Sequence, residues 1–64
     1  MKVNVYNANS FQLINVRHVD EVIEQEGEHG GDSEKFNAEC DRAEQELRNA
    51  GRYWIGNLYL TPRH

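Results

Sequence analysis

The sequence predicts an α+β fold, a small β-β-α-β domain in which an antiparallel sheet carries one amphipathic helix on one face. Three observations predict it. Lys2-Val3-Asn4-Val5-Tyr6 alternates with period two, placing Val3 and Val5 on one face, as a half-buried strand requires. Phe36, Cys40, Ala43, Leu47 and Ala50 recur at steps of four and three, which lays them along a single helical stripe. Arg52 to Leu60 is rich in aromatic and branched residues, the composition of a strand.

In chain order, Met1–Tyr6 is the first strand. Asn7-Ala8-Asn9-Ser10 follows as a hairpin loop, because asparagine tolerates left-handed backbone and closes turns on itself. Phe11–Val16 then returns antiparallel, with Phe11, Leu13 and Asn15 to one side and Gln12, Ile14 and Val16 to the other. Leu13 and Ile14 are both apolar, so this strand is expected to be central and partly covered on both faces. Val19–Gln25 admits two readings. Val19, Val22 and Ile23 have helical spacing, and Asp20 and Glu21 suit a helix N-terminus, but the run is short and charged, and a continued strand is the alternative.

Gly27-Glu28-His29-Gly30-Gly31 breaks either element and predicts a loop. Asp32 or Ser33 is the N-cap of a helix over Ser33–Ala50, which Gly51 ends. Gly56-Asn57 in the last segment reads either as a bulge within one strand or as a tight turn between two short ones; the single kinked strand is preferred. On that reading Tyr53, Ile55 and Tyr59 share one face and Trp54, Leu58 and Leu60 the other. Thr61-Pro62 ends the strand, since proline cannot donate to a ladder.

Sixty-four residues form one domain, residues 1–64, and a chain of that length buries only about 60% of its unfolded surface. Self-association or a partner is therefore expected to supply further stability. One cysteine excludes an internal disulfide and suggests a reducing, cytoplasmic setting. Met1–Tyr6 lacks the apolar run of a secretory leader, and nothing approaches a membrane span.

Candidate chemistry is sparse. His29 lies between Glu28 and Asp32, a mixed donor set that a transition metal accepts, but it falls on a glycine loop and reads better as solvated. Cys40 sits on the helix stripe between Glu39 and Asp41, whose charge opposes a thiolate; it reads as core. No nucleophile elbow, phosphate-cradling glycine motif or zinc-protease motif is present. The chain is accordingly read as non-enzymatic, with no cofactor and no metal. Arg48, Arg52 and Arg63 around Tyr53, Trp54 and Tyr59 have the residue types of a single-strand stacking platform. Those rings are expected to serve the core, however, and direct nucleic-acid binding is not expected.

Charge arrangement is the more informative signal. All 11 acids lie between Asp20 and Glu46, where only Lys35 and Arg42 oppose them, giving that stretch −9 within a chain of net −4. Lys35 with Glu39, Arg42 with Glu46 and Glu44 with Arg48 are spaced to pair along the helix. Asp20, Glu21, Glu24, Glu26, Glu28, Asp32, Glu34 and Asp41 are left without local partners, and they are the candidate partner-binding residues. Self-repulsion of this kind is tolerable where the field steers association with a basic protein. In size, lone-domain architecture and the Asp20–Asp41 charge block, the chain resembles the small acidic inhibitors made by phages, including anti-CRISPR proteins and inhibitors of host polymerases or restriction enzymes. That resemblance implies nucleic-acid mimicry, with carboxylates standing where phosphates would, against a basic, nucleic-acid-binding protein in the host cytoplasm. The alternative is a structural or regulatory homo-oligomer, a homodimer pairing through the C-terminal aromatic strand.

Overall fold

Six elements follow one another in the computed structural model, which describes residues 1–63: β1 (Lys2–Asn7), β2 (Leu13–His18), α1 (Val19–Glu26), α2 (Ser33–Asn49), β3 (Tyr53–Ile55) and β4 (Leu58–Pro62). The strands form one antiparallel sheet in the order β2-β1-β4-β3. The α+β class with helix packed on an antiparallel sheet is thus the one observed, with both open readings resolved: Val19–Glu26 is helical, and Gly56-Asn57 is a turn.

Each resolution has a local cause. In α1 the spacing of Val19, Val22 and Ile23 buries all three. Helical periodicity therefore prevails over the repulsion of its acids. At the turn, Ile55 pairs with Leu58 across two residues, and Gly56 adopts φ 54°, as in hairpin turns that take glycine first. The single kinked strand is therefore incorrect, and so is its assignment of faces. A two-residue turn resets the alternation, so Tyr53, Ile55, Leu58 and Leu60 face the helices while Trp54 and Tyr59 face away, consistent with the cross-strand pairs Tyr53–Leu60 and Trp54–Tyr59.

The expectation that β2 is central is also overturned. It lies at the edge and none of its residues is buried, because β1 takes β4 as its other neighbour and makes β1 and β4 the central pair. Val5 pairs with Asn15 and Tyr6 with Leu13, leaving Ile14 as the extra residue of a bulge. Phe11 belongs to the loop before β2, not to the strand.

The core lies between the sheet and the helices. It consists of Val3, Val5, Val19, Val22, Ile23, Ala43, Leu47, Ile55 and Leu60, with Phe36, Cys40, Tyr53 and Leu58 packed against it. No aromatic ring is among its fully buried side chains. Asp32 is the N-cap of α2: its carboxylate accepts from the backbone N–H groups of Glu34 (2.9 Å) and Lys35 (3.2 Å). Ala50 closes the helix and Gly51 follows at φ 74°, the left-handed exit that glycine favours.

Candidate functional site

The two broad surfaces of the domain differ in chemistry. All aspartates and glutamates fall on α1, α2 and the segment joining them, so the helical layer carries every acidic side chain and the strands carry none. Asp20, Glu21, Glu24, Glu26, Glu28, Asp32, Glu34 and Asp41 are all exposed. α1 and α2 pack against each other, which gathers the eight onto one layer although they are spread over more than twenty positions of sequence.

Two of the eight do have partners. Glu21 lies 3.7 Å from Arg17, whose guanidinium also donates to Gln25 at 2.8 Å. Arg17 precedes the acidic stretch, and the β2–α1 junction brings it back over the first turn. Asp32 is engaged as the cap just described. Asp20, Glu24, Glu26, Glu28, Glu34 and Asp41 form no salt bridge among the described residues.

Of the three pairs expected along α2, only Glu44–Arg48 forms, at 3.9 Å. Lys35–Glu39 and Arg42–Glu46 are not made; Glu39 instead accepts the backbone N–H of Glu28 at 2.9 Å and fastens the loop to the helix. Tertiary hydrogen bonding to an otherwise free N–H outweighs an exposed pair worth a few tenths of a kcal/mol. The helical half of the acidic layer is consequently less neutralised than the spacing implies.

His29 is held within the same layer. Its Nε2 donates to the Glu24 carbonyl (3.3 Å), its Nδ1 accepts from Gly31 N–H (3.2 Å), and its ring packs edge-on against Phe36 at 5.1 Å. It borders a cleft of about 300 Å³ with Glu24, Asp32 and Phe36. Both ring nitrogens are occupied by backbone groups, so His29 organises the loop and offers no free lone pair. Cys40 is half-buried, and its thiol is pushed above its ordinary value first by burial and then by the charges of Asp20, Glu44, Asp41 and Glu39. Such a thiol stays protonated near neutrality and is a poor nucleophile.

The opposite, uncovered sheet face is a surface that sequence reasoning misses, because its aromatic residues read as core. Phe11 lies edge-on to Trp54 (6.1 Å) and Tyr59 (5.8 Å), Trp54 packs on Tyr59 at 4.5 Å, and Tyr59 lies 6.0 Å from Tyr6. Phe11 is 58%, Leu13 56%, Ile14 52% and Trp54 51% exposed. Phe11 also takes φ 59°, a left-handed conformation costing an L-residue about 1–2 kcal/mol. The hairpin loop fixes it there: Phe11 N–H donates to the Asn7 carbonyl (2.7 Å), and the Asn7 side chain accepts from Asn9 and Ser10. The signal that could reveal this face is the Gly56-Asn57 dipeptide, read as a turn.

Comparison with protein-family models, with curated proteins and with solved structures finds no match. Among the described residues no helix is long and apolar enough to cross a membrane. The two surfaces therefore have to be read from their own chemistry.

Proposed function

We propose that the chain is a non-enzymatic interaction module whose helical layer engages a basic surface on a protein partner, one that itself binds nucleic acid. The observation that carries this reading is the segregation of charge. Every acidic side chain stands on one layer, the strands carry none, and six of the eight candidates have no salt-bridge partner among the described residues. A field of one sign on one side orients an encounter and raises its rate. Occupying a basic surface with carboxylates would exclude phosphates from it, so the module would act as an inhibitor by nucleic-acid mimicry. Burial of the Cys40 thiol and the backbone bonds of His29 also support a binding role over a catalytic one.

The test is a pull-down with the intact chain and with Glu24, Glu26 and Glu28 together replaced by Lys, each washed at low and then high salt. The expected result is a basic, nucleic-acid-binding protein held by the native chain, released by salt and not held by the charge-reversed variant. A partner retained equally by both chains, or one that salt fails to release, would refute the acidic layer as the contact.

A further inference from the structure

The helix-free face of the sheet is unused by the acidic reading, and we propose that it packs against the same face of a second copy of this chain, forming an isologous two-fold dimer. Phe11, Leu13 and Trp54 on this face, and Ile14 in the bulge at its edge, are each more than half exposed. Side chains of this size leave roughly 400–500 Å² of apolar surface bare, within the range of the largest and often functional patches of monomeric proteins. A stable interface requires about 800 Å² per partner. The half-buried Tyr6 and Tyr59 and a polar margin at Asn4 and Thr61 enlarge the patch toward that figure, giving an aromatic centre with a polar rim, as interfaces have.

Charge selects a second copy as the occupant. Packed sheets stand about 10 Å apart, and with the bare faces together the helices point outward. The two acidic layers then lie on the outer sides of the dimer, separated by both sheets and well beyond a Debye length of about 8 Å. On the bare face, Lys2 and Arg63 adjoin one another through Arg63 N–H to the Lys2 carbonyl, at the end of β1 away from Tyr6. With the two-fold axis lying in the interface plane, across the strands and through the aromatic cluster, the two sets of cations go to opposite ends and neither sign meets itself.

Other occupants fit less well. A strongly charged protein finds no countercharge in the aromatic centre. Single-stranded nucleic acid stacks on free ring faces, whereas these rings are packed against one another at 4.5–6.1 Å. The core supplies a further reason: none of its fully buried side chains is aromatic, so much of the chain's bulkiest apolar surface awaits a cover. Pairing along β3, by contrast, would offer only the three residues Tyr53–Ile55.

The experiment combines sedimentation with the emission of Trp54, the single tryptophan of the chain, over a dilution series of the intact protein. Expected are twice the monomer mass, a blue shift of Trp54 emission as concentration rises, and a dimer that persists at high salt. Leu13→Lys with Trp54→Lys should return the monomer mass at every concentration while circular dichroism retains the α+β spectrum. If that variant fails to fold, the concentration dependence of the native chain's emission and melting temperature still decides. A native chain that stays monomeric at its highest soluble concentration overturns the proposal. So does a dimer that survives both lysines, or one that dissociates in high salt, which would place the contact elsewhere. Monomers whose Trp54 emission is quenched by an oligothymidylate probe would assign the face to single-stranded nucleic acid instead. Failure here leaves the acidic-layer reading intact, because that reading depends on salt and on Glu24, Glu26 and Glu28.

Discussion

Gly27 shows how much a single residue can depend on what lies outside its own backbone. Its φ is −77°, a value any residue adopts, so conformation alone does not require glycine. The requirement comes from space: a β-carbon there would stand 2.5 Å from the Ile23 carbonyl oxygen and would also meet the Glu39 carboxylate. Glu39 can swing aside, but the Ile23 carbonyl accepts the Gly27 N–H at 2.7 Å and is fixed by the helix end. Gly27→Ala is therefore expected to destabilise the fold by about 1–3 kcal/mol, as overpacking does, read as a lowered midpoint in urea denaturation. Phe11 presents the complementary case. Its side chain type does not favour φ 59°, and the loop hydrogen bonds impose it.

Among the elements, α2 is the most legible in the sequence, since its stripe and its exit glycine agree with one another and with the burial of Ala43 and Leu47. Its start rests on Asp32, which belongs to two roles at once: cap of the helix and member of the acidic layer. The two are separable by substitution. Asp32→Ala should cost about 1 kcal/mol through the lost acceptor for the Glu34 and Lys35 N–H groups, a fall in melting temperature of about 4–8 °C for a domain this small. Asp32→Asn keeps an acceptor oxygen and should leave stability within a few tenths of a kcal/mol of native while still removing one charge from the layer. Thermal denaturation of the pair checks both. α1 is less legible, because eight residues hold too few turns for periodicity to decide between helix and strand. β2 misleads for a related reason: adjacent Leu13 and Ile14 suggest cover on two faces, when the bulge exposes them at an edge.

Across the whole molecule, the concentration of negative charge on one layer outweighs every other electrostatic feature. Six candidate acids lack salt-bridge partners among the described residues, and repulsion among them opposes the compact state. Added salt screens such repulsion. The native chain is therefore expected to gain stability as a neutral salt such as sodium chloride is raised from low to physiological ionic strength, seen as a rising melting temperature at fixed protein concentration. A melting temperature that falls over that range would mean that attraction, not repulsion, dominates the surface. The same segregation leaves the opposite face free of acidic side chains, and that freedom is what permits two sheets to meet.

By itself the sequence determined the α+β class, the length and exit glycine of the long helix and the confinement of acids to its central stretch. Each of these follows from the residues themselves and their near neighbours: an alternation of two, a step of three or four, a glycine just past the last turn. The tertiary structure alone decided which strands are central, that Arg17 reaches back to Glu21, that Glu39 holds the Glu28 N–H in preference to Lys35, and that Trp54 and Tyr59 lie outside the core. The first and last of these turn on which strand pairs with which, and a two-residue turn at Gly56-Asn57 exchanges the faces of everything that follows it, whereas the Arg17 and Glu39 contacts turn on where the chain enters α1 and how the segment after α1 folds onto α2.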